Sequence, residues 1–155
     1  MRFKTIDVKR DRGLIVQFRR DSYVVSFGSD EAFGDEDAYV KRIEERARRF
    51  PKGQVLVEEA GDTIGQLELQ IVEYEGREIG YVNLYYLVPA YRGRGVGKQL
   101  VEYAERFFRK HRVQEYHLRV ASTNERAIRF YIKHGMTKLK EEASDNPVWR
   151  MQKQL

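Results

Sequence analysis

Hydrophobic residues change their spacing along the chain, and the change separates a helical amino-terminal part from a longer part rich in strands. Apolar positions recur at helical intervals over residues 6–27 and again over residues 35–50. The second segment has acidic residues at its start and arginines just before Pro51, which is typical of a complete helix. We therefore predict two helices, the first of which becomes extended near residues 23–26.

After residue 54 the apolar positions alternate with polar ones, which predicts strands interrupted by two further helices. Three strands come first, and short glycine turns separate them as in an antiparallel meander. A strand, a glycine turn, a helix and another strand then form a βαβ unit, whose two strands are parallel. The predicted strands cover residues 55–59, 63–73, 78–88, 116–121, 137–142 and 148–153, and the predicted helices cover residues 96–112 and 124–134.

These elements predict an α+β (α/β) fold with a mixed, mostly antiparallel central sheet, a βαβ unit and helices on both faces. No linker, repeat or low-complexity tract divides the sequence, so we expect residues 1–155 to form a single domain. With 41% hydrophobic and 34% charged residues, the chain has enough apolar side chains for a core and enough charge for a solvated surface.

Cysteine is absent, which excludes a disulfide framework, a thiolate zinc site and a protein thiol as nucleophile. We expect no metal, and any acyl group would have to pass directly to its acceptor. No apolar run approaches the length of about 20 residues that spans a bilayer. We therefore expect no membrane association and a cytoplasmic location.

The net charge of +5 is concentrated in one segment. Residues 89–112 contain seven basic and two acidic side chains, so this segment accounts for the whole excess. Such a patch binds phosphate in any molecule, and nucleic acid is one candidate partner. No aromatic stacking platform accompanies the patch, which makes nucleic acid unlikely.

The centre of this segment is the run Arg-Gly-Arg-Gly-Val-Gly at residues 92–97, between a predicted strand and a predicted helix. Glycines at alternate positions let successive backbone N–H groups converge on one anion at a helix amino terminus. Arg92, Arg94 and Lys98 add positive charge around it. A turn that only caps the helix would not gather cations at this end of the helix dipole. The pattern favours a pyrophosphate site.

Two common nucleotide-binding loops do not fit these residues. A P-loop needs glycine where Arg92 stands and serine or threonine where Gln99 stands. A dinucleotide-binding fingerprint requires G-x-G-x-x-G in a chain that opens with the βαβ unit, whereas the run here is G-x-G-x-G and follows a meander.

The same residues resemble a known family. Residues 88–100 look like the R/Q-x-x-G-x-G/A motif of the GCN5-related N-acetyltransferase (GNAT) superfamily, with Arg92, Gly95 and Gly97 at its defining positions. The order of the predicted elements fits the family over the whole chain, although the amino-terminal third matches only in pattern.

A second family signature occurs at its expected distance from the first. It consists of an asparagine, a helix containing Ala-x-x-x-Tyr, and a final glycine followed by an aromatic residue. Here the matching residues are Asn124, Ala127, Tyr131 and Gly135, and Met136 replaces the aromatic residue. Two correctly spaced motifs are far more specific than either motif alone.

The resemblance implies that the chain uses acetyl-CoA as acyl donor. The amides of residues 93–98 would hold the CoA pyrophosphate, and the end of the preceding strand would pair with the pantetheine arm where two strands splay apart. The implied cofactor-binding residues are Leu87, Val88, Arg92, Gly93, Arg94, Gly95, Val96, Gly97, Lys98, Asn124 and Tyr131.

The resemblance also implies catalytic roles. Tyr131 stands where family members place the general acid that protonates the departing thiolate, a proton transfer suited to a phenol. From the sequence alone, a tyrosine in a helix is more often a packing residue, and it is the pair of motifs that favours the acid role. Asn124 can serve both as helix N-cap and as a contact to pantetheine or substrate. A backbone N–H near Leu87 would meet the carbonyl oxyanion.

The sequence departs from some of its relatives at the general base, because the places where those relatives carry a glutamate hold Tyr81 and Arg119. We name Glu68 as the candidate base, with a chain of water molecules as the alternative. The other titratable groups that could reach the site are Glu73, Glu115 and His117, and residues of these types are more often solvated surface residues.

The acceptor pocket has its own candidates. Tyr81, Asn83 and Tyr85 alternate along one predicted strand and should share a face, with Tyr86 on the other. At least one of these aromatics is expected to line the acceptor pocket, and Arg119 could pair with an acidic group on the acceptor.

These observations predict an N-acetyltransferase that moves acetyl from acetyl-CoA to a primary amine by direct attack in a ternary complex. The alternative is a non-catalytic acyl-CoA-binding sensor or interaction module of the same fold. The amine could belong to a small molecule or a peptide, and a homodimer is compatible with the sequence.

Overall fold

A computed structural model describes residues 1–143 and 145–155. A central sheet of seven strands carries helices along its connections, and single turns of 3₁₀ helix lie at Glu31–Phe33, Pro51–Gly53 and Pro89–Tyr91. The strands are β1 (Arg2–Thr5), β2 (Gln54–Glu59), β3 (Asp62–Tyr74), β4 (Arg77–Leu87), β5 (Glu115–Ala121), β6 (Thr137–Glu142) and β7 (Val148–Gln154). The helices are α1 (Val8–Phe27), α2 (Glu36–Arg49), α3 (Val96–Lys110) and α4 (Glu125–Lys133).

The strand order is β1-β2-β3-β4-β5-β7-β6, and every neighbouring pair is antiparallel except β4 and β5. The parallel pair is joined by α3, as the predicted βαβ unit requires. Pairing between β4 and β5 covers only three positions and ends at Val82 opposite Leu118. Beyond this point β4 continues to Leu87 and β5 to Ala121, so a gap opens between the two strands.

Helices cover both faces of the sheet, and each face has its own hydrophobic core. In β2, Val55 and Val57 pack into the core that contains residues of α3 and α4, whereas Leu56 packs into the core formed with α1 and α2. Such alternation follows from the period of two in a strand. The predicted mixed, mostly antiparallel sheet with helices on both faces is confirmed.

A β-bulge in β4 changes which face its later residues occupy. Glu68 of β3 pairs with Leu84 and Leu69 pairs with Val82, which leaves Asn83 as an extra residue. Val82 and Tyr85 therefore both pack in the α3 and α4 core, although a regular strand would place them on opposite faces. Our prediction that Asn83 and Tyr85 share a face is wrong for this reason.

Two further predictions in the amino-terminal part are corrected. The segment 23–26 is helical, because α1 continues to Phe27 and ends at Gly28, whose φ of 81° allows its amide to donate to the Val24 carbonyl. Strand β1 was not predicted. Its four residues pair with β2 at the edge of the sheet, and they are too few to show a period.

Candidate active site

The glycine turn between β4 and α3 has the geometry of an anion site. Gly93 and Gly95 adopt left-handed backbone conformations, with φ of 72° and 81°, and Gly95 is the N-cap of α3. The amides of Val96, Gly97 and Lys98 form the first turn of this helix, where N–H groups have no carbonyl partner within the helix. These amides and the positive end of the helix dipole favour a bound phosphate.

Gly97 brings the two sequence motifs together. A Cβ atom at this position would lie 2.6 Å from the ring of Phe130, so only glycine lets α3 approach α4 this closely. Helix α4 carries both Asn124 at its N-cap and Tyr131 in its last turns. The third glycine of the turn therefore positions the helix that holds the candidate acid.

Arg92 is directed toward α1. Its Nε donates to the Leu87 carbonyl at 2.8 Å, and its Nη2 donates to Oδ2 of Asp21 in α1 at 2.9 Å. Its guanidinium also lies over the ring of Tyr86. The arginine of the motif thus joins the end of β4, immediately before the turn, to α1.

Three other cations surround the turn. Arg94 donates to the Ala90 carbonyl at 3.0 Å, and the exposed Lys98 lies 3.9 Å from Glu102, one turn further along α3. Arg126 was not singled out from the sequence, yet its Nη2 lies 3.1 Å from where a Cβ of Gly93 would be. Its only sequence signal was its place two residues after Asn124, inside the second motif. These side chains can neutralise the phosphates of a nucleotide.

The second motif supplies a cap and a phenol. Oδ1 of Asn124 accepts from the Ala127 amide at 3.3 Å, which confirms its role as N-cap of α4. The ring of Tyr131 lies 6.1 Å from that of Tyr85, on the α3 and α4 face of the sheet. Burial raises the pKa of Tyr131 to about 12, so the phenol keeps its proton at neutral pH and can donate it.

The end of β4 presents backbone groups to the gap between β4 and β5. The Val88 amide donates to the Ile64 carbonyl, so this residue faces β3. Neighbouring residues in a strand direct their N–H and C=O groups to opposite edges, so those of Leu87 face the gap. The Leu87 carbonyl is occupied by Arg92, which leaves its amide as the donor there.

Glu68 lies on the other face of the sheet, under α1 and α2, with 1% of its surface exposed. Its Oε2 accepts from the Tyr39 hydroxyl at 2.6 Å and from Nε2 of Gln66 at 3.0 Å, and its Oε1 lies 3.3 Å from Nη1 of Arg46. Glu68 and Asn83 line one cavity, so the carboxylate borders the point where β4 leaves β5.

The other titratable candidates are engaged elsewhere. Nε2 of buried His117 lies 2.8 Å from Glu115, and its Nδ1 lies 2.8 Å from Arg150, so both ring nitrogens have partners. Glu73 is exposed near the β3–β4 turn. Arg119 pairs with Glu142 at 2.6 Å, so its charge already has a partner inside the chain.

Comparison with known proteins agrees with this geometry. Residues 15–136 match the model of the acetyltransferase (GNAT) family, which covers both motifs and the whole βαβ unit. The chain belongs to this family. A sequence search of curated proteins gave no match.

Solved structures share the fold over nearly the full chain. A ribosomal-protein-alanine N-acetyltransferase from Brucella melitensis is 16% identical with a TM-score of 0.78, covering 100% of both chains. YncA from Salmonella typhimurium, a putative acetyltransferase solved with acetyl-CoA, is 21% identical with a TM-score of 0.74, covering 100% of this chain and 94% of its own. The PaiA N-acetyltransferase from Thermoplasma acidophilum, in complex with coenzyme A, is 21% identical with a TM-score of 0.70, covering 99% and 98%.

Among the described residues, no helix is both long enough and apolar enough to cross a membrane.

Proposed function

We propose that this protein transfers the acetyl group of acetyl-CoA to a primary amine by direct attack in a ternary complex. The observation that carries the proposal is the close approach of Gly97 to the Phe130 ring, which brings the glycine turn and the helix of Tyr131 side by side. The gap between β4 and β5 opens beside them. Family membership supports the activity, and two similar structures contain acetyl-CoA or coenzyme A.

The turn and its cations would bind the donor. Backbone amides of Gly93 to Lys98 would receive the pyrophosphate at the start of α3, with Arg94 and Arg126 beside them. The Leu87 amide faces the gap, where a pantetheine arm or a carbonyl oxygen could accept its hydrogen bond. Arg92 acts indirectly, because it holds the end of β4 to α1.

Acetyl-CoA supplies the acetyl group as a reactive thioester, and the overall reaction joins the amine nitrogen to the acetyl carbon and releases CoA as a thiol. Tyr131 donates its phenolic proton to the departing sulfur as the carbon–sulfur bond breaks, and the second proton that the nitrogen loses restores the phenol through solvent. Glu68 takes a proton from the acceptor ammonium, directly through Oε1 or through water. Tyr131 and Glu68 lie on opposite faces of the sheet. This arrangement suits a donor that enters the gap from the face of Tyr131 and an acceptor that enters it from the face of Glu68.

Release of free thiol from acetyl-CoA, measured over a panel of primary amines, tests the proposal. We expect thiol release that depends on both acetyl-CoA and one class of amine, with the N-acetylated amine detected by mass spectrometry. If CoA binds in calorimetry while no amine promotes thiol release, the protein is a non-catalytic acyl-CoA-binding module.

A further inference from the structure

A small cavity on the α1 and α2 face of the sheet, here called the arginine cavity, concentrates positive charge next to the gap between β4 and β5. Three arginines line it, Arg19 from α1 with Arg42 and Arg46 from α2, and the only acidic group among its lining residues is Glu68. Aromatic rings from the same two helices and from the turn between them form much of the remaining wall. No local sequence pattern predicts this cluster, because its members come from separate elements.

The partners of these arginines leave part of the charge uncompensated. Arg46 contacts Glu68 at 3.3 Å. Arg19 contacts Oγ of Ser22 at 3.3 Å and lies over the ring of Tyr23, neither of which carries negative charge. For Arg42, the described residues offer no hydrogen bond or ion pair.

The spacing of two of the arginines is mildly unfavourable without a ligand. Arg42 and Arg46 are four residues apart on α2, so their like charges occupy the same side of the helix. Arg19 adds a third positive charge to the same cavity. A bound anion would relieve this repulsion and would use the guanidinium groups as hydrogen-bond donors.

The arginine cavity adjoins the gap between β4 and β5 on the face of the sheet opposite to the glycine turn. Asn83, the bulged residue that follows the last position paired with β5, forms part of its wall. The glycine turn and Tyr131 belong to the opposite face. An amine entering from the arginine cavity would therefore reach the gap from the side not used by the donor.

We propose that the acceptor amine carries a carboxylate, which Arg19 and Arg42 bind in this cavity. The inference rests on the proposed acetyltransferase function and names its substrate class. The cavity has a volume of about 40 Å³, whereas one water molecule needs roughly 10 to 15 Å³ on the same measure. This space fits a carboxylate group beside Arg19 and Arg42 and leaves the amine end of the acceptor at the sheet side of the cavity, which Glu68 and Asn83 line.

Matched acceptors test the charge requirement. Glycine, β-alanine and γ-aminobutyrate are compared with their carboxamides, since this series varies the distance between amine and carboxylate. Each pair also differs in the pKa of its amine, so the informative quantity is the change in kcat/KM between wild type and variant for the same compound. The variants are Arg42→Gln, Arg19→Gln and, as a control on the same helix, Arg49→Gln, whose guanidinium lies over Phe50 outside the cavity.

We expect Arg42→Gln and Arg19→Gln each to lower kcat/KM for the best carboxylate acceptor by about 10-fold, as for a lost hydrogen bond to a charged group. The corresponding carboxamide should change less than about 2-fold, and Arg49→Gln should leave both unchanged. Equal losses for carboxylate and carboxamide, or no loss for either, would overturn the inference.

Calorimetry separates this outcome from failure of the proposed function. The three carboxylates are titrated into wild type and Arg42→Gln in the presence of CoA. If no amine is acetylated but a carboxylate binds wild type and loses affinity in Arg42→Gln, the transfer function is wrong and the anion site stands. If no amine is acetylated and no carboxylate binds, the anion site is wrong as well.

Discussion

Arg92 and Asp21 form an ion pair of 2.9 Å between residues 71 positions apart in the chain. Asp21 also accepts a hydrogen bond from the hydroxyl of Tyr86, and Arg92 donates to the Leu87 carbonyl. The pair thus fastens α1 to the end of β4, immediately before the glycine turn. We therefore expect the arginine of the family motif to support the backbone of the turn through these contacts.

Replacing Asp21 with asparagine should weaken CoA binding without unfolding the protein. The substitution keeps the size of the side chain but removes the charge that holds Arg92 and Tyr86, so the turn becomes less well fixed. Because the pair is partly exposed, we expect an increase in the dissociation constant of CoA of about 2- to 5-fold by calorimetry. Asp30→Asn is the control, since Asp30 pairs with Arg20 away from the turn. Equal affinities for the two variants would contradict the positioning role.

A methyl group at Gly97 should loosen the contact between the two motifs. The added Cβ would lie 2.6 Å from the Phe130 ring, so α3 and α4 have to move apart. We expect Gly97→Ala to lower the free energy of unfolding by about 1 to 3 kcal/mol, the usual cost of overpacking. Urea denaturation measures this loss, and CoA affinity should fall with it.

Two variants make the Gly97 experiment specific. Phe130→Leu in the Gly97→Ala background removes the clashing ring and should restore part of the lost stability. Gly13→Ala, also within a helix, has open space around its Cβ and should raise stability by about 0.5 to 1 kcal/mol. If Gly97→Ala behaves like Gly13→Ala, then the close approach of the helices does not constrain this position.

The features predicted correctly were those encoded in short stretches of sequence. Periodicity located α2, α3, α4 and six of the seven strands, and the glycine run marked the turn because its left-handed residues require glycine. Strand β1 was missed because four residues at a sheet edge carry no measurable period.

The features that were missed depend on contacts between distant segments. The bulge at Asn83 reverses the face of Tyr85, and only the pairing of β4 with β3 reveals it. The partner of Arg92 is in α1, and Glu142, which pairs with Arg119, lies on β6. The arginine cavity likewise combines α1, α2, β3 and β4, so no local pattern could have predicted it.

Tyr131→Phe tests the assignment of the general acid. The variant removes only the hydroxyl, so the packing against Tyr85 and the binding of CoA should be preserved. We expect kcat to fall by about 100-fold or more, the usual contribution of a positioned acid, with little change in the KM for acetyl-CoA. Tyr103→Phe is the matched control, because its hydroxyl donates to the Lys52 carbonyl away from the turn. A wild-type kcat in Tyr131→Phe would exclude the phenol as proton donor.

The pH dependence of the wild-type enzyme provides a second check on Tyr131. Since burial raises the pKa of Tyr131 to about 12, the phenol remains protonated through the range in which kinetics can be measured. We therefore expect no loss of kcat between about pH 8 and 10 from ionisation of the acid. A decline in that range that disappears in Tyr131→Phe would show that the phenol ionises much more readily than its burial implies.

His117 should make the stability of the protein sensitive to mild acid. Burial is the main cause that lowers the pKa of His117 below its usual value of 6.5, nearby Arg150 acts in the same direction, and Glu115 opposes them. The unfolded chain therefore binds a proton more readily than the folded one, so the free energy of unfolding stays constant above about pH 6.5 and decreases below it.

Urea denaturation at pH 7.5 and 5.5 should show this decrease in wild type. His117→Gln should remove much of it, leaving the part due to His134, whose pKa burial also lowers. An undiminished decrease in His117→Gln would mean that another group controls the acid sensitivity.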